Sequence, residues 1–420
     1  MARDEIGRLQ PTAGGGLIGR RTLLAGLSLG AAGVACSAVG EPDRRGGPDW
    51  LLSPGAPLSL YGSVAPSQEK VQRILNGEPT AIGSSRTPIH LLEGTITPAS
   101  LHFERHHAGV PAIDPDKHEL VIHGLVRRPL SFSMDALARY PMDTRIRFLE
   151  CSGNSGLNAQ AQARQTSAGA LHGLVAGSEW TGVPLSILLD EAGVRPDARW
   201  VIAEGADACL HSRSIPLASC LNDAIVALYQ NGEALRPEQG FPVRLFLPGL
   251  EGNMSVKWLR SLKLTRNPAL SREETSRYTE LLPDGRAQRF SFEMAPKSVI
   301  LKPSFGLEMQ GPGLYEISGL AWSGGGKISK VEVSADGGRS WAEAALSEPV
   351  LSKALTRFRL LWRWDGSPRA LMSRAIDEQG RTQPPRSEWI TRYAPGQGYH
   401  YNAIQSWAVS ADGQVSNVHL

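Results

Sequence analysis

Aromatic residues are scarce, at 6% of a 420-residue chain. Cysteines number only four, and neither sign of charge prevails, with 44 basic residues against 41 acidic ones. Each shortage excludes something. Four cysteines are too few for a disulfide-built scaffold. Four of the arginines and two of the acids fall within residues 1–40, so the rest of the chain is near neutral. That is not the electrostatic footprint of a protein that binds nucleic acid or anionic membranes. No apolar run reaches the ~20 residues of a spanning helix, so no membrane anchor is expected. Glycine (45) and proline (29) are plentiful, which favours short strands and turns over long helices. With 41% hydrophobic and 20% charged residues, the chain can bury proper cores. At ~150 residues per domain its length suggests two or three domains.

Residues 1–40 read as an address. Arg20 and Arg21 stand directly before the apolar run Leu23–Cys36, and Ala35, Ser37 and Ala38 offer cleavage sites. The arrangement resembles a bacterial twin-arginine signal, with an ordinary Sec signal as the alternative. The twin-arginine route carries folded proteins, which suits a chain that acquires a large cofactor before export to the periplasm. Cleavage after Ala38 leaves Cys151, Cys209 and Cys220. An odd number leaves one thiol without an intrachain partner, and in an oxidising compartment something must hold it.

The remainder divides by pattern. Residues 41–95 are rich in Pro, Gly and Ser and read as an extended segment over the surface. Residues 96–270 mix strands such as Glu119–Leu125, Trp200–Ala203 and Val243–Leu247 with short helices at Ser133–Tyr140 and Pro184–Ala192. This predicts an α+β domain. Residues 271–296 are polar and charged and read as a linker. From 297 to 420 short strands recur at Tyr315–Gly319, Ile328–Ser334, Arg357–Trp364 and Leu371–Asp377, with a hairpin turn at Asp336-Gly337-Gly338. That spacing predicts an immunoglobulin-like β-sandwich.

The most informative stretch is Arg147–Asn154, where an apolar strand ends in Cys151 and small, turn-forming residues follow. A thiolate at such a place suits a nucleophile or a soft-metal ligand. A buried cysteine acting as a small hydrophobe is the plain alternative. Four segments decide between them. They are Thr97–Pro111 around Phe103-Glu104-Arg105-His106-His107, then Glu150–Asn154, then Gly240–Leu259 with its Gly-Phe-Pro-Val-Arg and Val-Lys-Trp-Leu runs, and finally Tyr315–Trp341. In this order they resemble the sulfite oxidase family of molybdenum enzymes, over roughly residues 95–420.

The resemblance implies a sulfite-oxidase-type molybdopterin domain followed by a dimerisation domain. It implies Cys151 as the molybdenum ligand. Arg105, His106, His107, Asp207, Gln239, Arg244, Ser255, Val256 and Lys257 fall on positions that bind molybdopterin. Arg105, Tyr229 and His400 fall on positions that face the substrate. Departures are present too. Gln239 stands for a pterin-binding histidine, while Gly156 and His400 stand where sulfite-oxidising relatives have arginine. Arg213 belongs to a loop that the resemblance does not place.

Within the family, Phe103–His107, Ala170–Leu185 and Tyr401–Trp407 look like the molybdenum subunit of sulfane dehydrogenases, the SoxC type. That implies oxidation, by oxo transfer, of sulfane sulfur on a carrier-protein cysteine during thiosulfate oxidation. It also implies a c-type cytochrome subunit, and a homodimer of this chain within a heterotetramer. The sequence has no Cys-x-x-Cys-His, so no haem is expected on this chain. A free-sulfite dehydrogenase with a cytochrome c acceptor is the alternative, and a cofactor-free sandwich binding protein is a third reading from another class.

Overall fold

The computed structural model describes residues 49–51, 53–75 and 77–420. The expected signal, and residues 41–48, 52 and 76 of the extended segment, lie outside the described residues. Among those described, no helix is long and apolar enough to cross a membrane.

The first domain is built on two five-stranded sheets. One runs Glu233–Ala234, Ile225–Gln230, Val175–Pro184, Asp143–Glu150, with Arg244–Phe246 also pairing with Ile225–Gln230. The other runs Leu130–Ser133, Glu119–Gly124, Leu259–Thr265, Trp200–Gly205, Ser212–Pro216. Its single parallel pairing joins Glu119–Gly124 to Leu259–Thr265, so residues far apart in sequence meet in the sheet. The short helices form where local chemistry starts and stops them. Ser133 caps Met134–Ala138 by accepting the Ala136 N–H, and Gly193 ends Leu185–Ala192 in the left-handed conformation. Leu120, Ile122, Leu188, Leu189, Val201 and Leu262 share one buried core. A small antiparallel sheet of Ile74–Leu75, Gly83–Arg86 and Glu104–His106 brings the N-terminal segment against this domain.

The second domain is a sandwich of two antiparallel sheets. Lys297–Lys302, Gly313–Trp322, Thr356–Trp364 and Ala345–Leu346 form one. Ala342–Glu343, Ile328–Ser334, Arg369–Asp377, Ser406–Val409 and Val415–Val418 form the other. Ile317, Trp322, Val331, Phe358, Leu371 and Trp407 fill the space between them. The strand Ile328–Ser334 is as the alternation predicts, and its hairpin partner follows the Asp336–Gly338 turn.

The connecting segment does more than connect. A capping box of Ser271 and Glu274 starts the helix Arg272–Thr275, and Glu280–Leu281 pairs with Ala287–Gln288. Glu274 is buried and takes the Ser214 hydroxyl at 3.0 Å. Glu273 and Glu280 are buried as well, while Arg272, Asp284, Arg286 and Glu293 stay exposed.

Candidate active site

Strand Asp143–Glu150 delivers Cys151 to the floor of a cleft. The Cys151 N–H bonds Leu174 O, and its carbonyl takes the Asn154 N–H, both at 2.9 Å. The chain therefore turns sharply just after the sulfur. Cys151 is 9% exposed. Burial pushes its thiol pKa up, while the Gly153 N–H and the Arg105 charge pull the other way. Neither Cys151, Cys209 nor Cys220 forms a disulfide.

One cleft gathers Arg105, His106, His107, Cys151, Asp207, Gln239, Arg244, Ser255, Val256 and Lys257. Their contacts separate two jobs. Gln239 donates to Phe103 O at 2.9 Å, and Ser255 Oγ accepts the Leu247 N–H at 3.0 Å. These two hold the backbone frame. Asp207 accepts from the His211 N–H at 3.0 Å and from Cys209 Sγ at 2.8 Å. His106 is fully engaged, with Nε2 2.7 Å from Glu104 and Nδ1 2.7 Å from the Lys257 ammonium. His107 lies 2.7 Å from the Tyr278 hydroxyl and stacks on His211. Burial, then Arg105 and His211, push its pKa down to about 3, so it hydrogen-bonds as a neutral ring.

The cations are the chief electrostatic feature. Arg244 donates to Gln239 O and Ser255 O and lies over the Trp180 ring, yet its Nε is buried without a partner. Burial lowers its pKa to about 9. Lys257 is pushed well below its ordinary value by burial and then by Arg244. No ion pair holds Arg105, Arg244 or Lys257 among the described residues. Buried positive charge without a counter-ion is costly, so the cleft is built for an anion. A phosphate-bearing group with a thiolate-bound metal fits this donor set. Arg244 offers a free N–H, Lys257 a charge, and Cys151 a soft sulfur.

Two expectations need correction. Tyr229 does not line the cleft. It lies on strand Ile225–Gln230, paired with Thr181 and Ala234 and 37% exposed. A bulge between Ala227 and Tyr229 shifts the register there, and Tyr229 is the one exposed residue of an otherwise buried strand. The cleft tyrosine is Tyr278. His400 does not line the cleft either; its Nε2 sits 3.6 Å from both Glu251 and Glu280. Gly156, which stands where relatives have arginine, has no room for a side chain, because a Cβ there would meet Gly398 O at 2.5 Å. Backbone fills that volume. Arg213, which sequence could not place, is buried beside Glu274 (3.7 Å) and Glu251 (3.9 Å), with its guanidinium over the Tyr278 ring.

Sequence reasoning also missed His211, Asn253 and Trp258 as cleft residues. Trp258 adjoins Lys257 in the Val-Lys-Trp-Leu run, and its ring lies 4.3 Å from the ammonium. Tyr278 yields a direct comparison. Burial pushes its phenol pKa far up, so it stays a hydrogen-bond donor. Tyr278→Phe is expected to lower turnover by about 10²-fold, the usual cost of one aimed donor, while Tyr229→Phe leaves it unchanged. Steady-state kinetics of both variants check this.

Residues 107–273 match the family described as oxidoreductase molybdopterin binding domain. Residues 288–406 match the Mo-co oxidoreductase dimerisation domain. The two-domain build is thus that of a molybdenum-cofactor oxidoreductase. Mitochondrial sulfite oxidase of Rattus norvegicus is 32% identical over 317 residues, covering 71% of this chain and 58% of that protein. NADH nitrate reductase of Ulva prolifera is 30% identical, covering 71% of this chain and 39% of its own. The chain therefore spans roughly two fifths to three fifths of these relatives' length. The crystal structure of the sulfane dehydrogenase SoxCD from Paracoccus pantotrophus superposes with a TM-score of 0.86 at 43% identity, covering 89% of this chain and 100% of that one. The chain belongs to the sulfite oxidase family of molybdenum enzymes.

Proposed function

We propose that the chain is the molybdenum subunit of a periplasmic sulfane dehydrogenase. It oxidises sulfane sulfur carried on a protein cysteine and passes electrons to a c-type cytochrome subunit. The likeness to SoxCD over the whole of that chain supports the class of reaction. In this reading Cys151 holds the molybdenum, and Arg244 and Lys257 hold the phosphate end of the pterin. Asp207, His106, His107 and the 255–256 backbone frame the rest. Bound there, the cofactor supplies two-electron oxo transfer. The chain's own part is to neutralise anionic charge and aim Tyr278 and Arg105 at the reacting sulfur. A homodimer through the sandwich, paired with two cytochrome subunits, is part of the same proposal; the dimerisation match and the likeness to SoxCD support it.

One observation carries the choice of substrate. A free sulfite dianion needs several fixed cations to offset its desolvation. At Gly156 there is no room for one, and Arg213 is committed to Glu274 and Glu251. His400 is likewise placed between carboxylates. The substrate-facing end of the cleft is left with Arg105. A sulfur on a carrier arm is less charged and draws its binding energy from the carrier's surface. Steady-state assays with a c-type cytochrome are expected to show turnover of carrier-bound sulfane sulfur and weak use of sulfite. Sulfite oxidation at micromolar KM, with the carrier-bound form inert, replaces this reading with a free-sulfite dehydrogenase.

A further inference from the structure

A second cavity of about 450 Å³ lies at the domain boundary, lined by Glu280, His400, Glu293, Arg381, Glu388 and Arg392. Glu388 and Arg392 are exposed, so it opens to solvent. Its inner wall is His400. The same imidazole nitrogen also faces Glu251, and Glu251 Oε2 takes the Asn253 amide at 2.7 Å. Asn253 lines the cofactor cleft and also donates to Ser152 Oγ at 3.2 Å, one residue from Cys151.

The geometry points to a proton relay, Glu251 to His400 to Glu280, that joins the cofactor cleft to this second cavity. It rests on the oxidative function proposed above. Oxidation of sulfur with oxygen from water leaves two protons and two electrons for each oxygen inserted. The electrons go to the one-electron acceptor, and the protons must leave the cleft. His400 Nε2 is equidistant from the two carboxylates, 3.6 Å from each. That is a few tenths of an ångström beyond hydrogen-bond reach, so a small swing closes one contact and opens the other. The Nε2 proton passes to Glu280, and the bare nitrogen then takes the proton held by Glu251. Glu280 releases its proton to water in the second cavity, and a proton released in the cleft, carried by water past Asn253, reloads Glu251.

The surroundings fit transfer in that direction. Glu150 also faces the ring, Arg213 stands behind Glu251, and Arg392 and the Ser291 hydroxyl stand at Glu280. Burial opposes charge on His400, but Glu251 and Glu280 outweigh it and raise its pKa. Burial pushes the Glu251 carboxyl up, yet His400 and Arg213 hold it below the ordinary value. Burial raises Glu280, so the outer carboxyl keeps a proton more readily than the inner one. The backbone that carries the ring is held in place. His400 has φ of 53°, in the left-handed region that L residues seldom adopt. Its N–H bonds Ser152 O at 2.8 Å, and its carbonyl takes the Trp389 indole at 3.2 Å.

Two measurements test the relay. In the full chain without cofactor, ring-labelled histidine NMR, with His400→Gln identifying the resonance, is expected to show His400 titrating above 6.5. Glu280→Gln is expected to lower that midpoint. A neutral ring at pH 6.5, or a midpoint blind to Glu280→Gln, overturns the proposal. In the loaded enzyme, His400→Gln is expected to slow turnover by about 10²-fold, and added imidazole to restore it. Glu280→Gln, which keeps the shape, is expected to give the same defect. Undiminished turnover in both variants, or loss that imidazole does not restore, also overturns it. An inactive wild-type enzyme counts against the functional reading instead, while the NMR titration still decides the relay.

Discussion

Replacing Cys151 by serine is expected to abolish turnover and to remove sulfur coordination of the metal by the protein, while the fold persists. The side chain is small and lies at a strand end, and its backbone bonds to Leu174 and Asn154 do not involve the sulfur. A hydroxyl in place of the thiol therefore disturbs packing little. The chemical change is large, because a hard, weakly acidic hydroxyl is a poor ligand for a soft metal. Burial disfavours the free thiolate, so the deprotonated sulfur is stabilised by what it binds. X-ray absorption at the molybdenum edge is expected to lose one sulfur neighbour in the variant. Retained turnover with an unchanged sulfur count removes Cys151 from the role.

The second large effect lies just behind that sulfur. Glu150 and Lys297 form a buried ion pair at 3.0 Å, with side chains 1% and 3% exposed. It joins the strand that carries Cys151 to the first strand of the sandwich. Glu150 also takes the Asn154 amide at 2.9 Å and the Trp322 indole at 2.7 Å, and Lys297 donates to Ser155 at 2.7 Å. Burial lowers the Lys297 pKa, and Glu150 opposes that. Lys297→Met leaves a carboxylate buried with only neutral donors. The expected loss is about 3–5 kcal/mol of stability, read from urea unfolding of the chain. Adding Glu150→Gln removes the orphaned charge and is expected to recover much of that loss. A single variant as stable as the wild type contradicts the arrangement. Because Glu150 precedes Cys151, the single variant is also expected to hold molybdenum less firmly.

Much of this was legible in sequence where local pattern and function coincide. A strand ending in Cys151 before small residues, the Gly-Phe-Pro-Val-Arg run and the Val-Lys-Trp-Leu run each occupy one short stretch. The structure brings these stretches to one cleft. The sandwich strands were legible because alternation is a local signal. Tyr278 was not, because it stands among the charged residues of 271–286, whose composition reads as linker. The Ser271–Glu274 capping box was the available sign of order there. Tyr229 falls on the family's tyrosine position by resemblance alone, and the bulge between Ala227 and Tyr229, a feature of strand pairing, leaves it exposed. Gly156 and His400 show a different limit. Whether a missing arginine opens a pocket depends on what fills its volume. The 398–400 backbone that does so is more than 240 residues away in sequence.

Metal and pterin analysis of the purified chain tests the central claim most directly. The chain is expressed in a host that makes the cofactor, with Cys151→Ser prepared alongside. The account predicts about one molybdenum and one pterin per wild-type chain, with the phosphate end held by Arg244 and Lys257. Wild-type chain that is folded and yet carries no more molybdenum and pterin than an Arg244→Ala/Lys257→Met variant would contradict it.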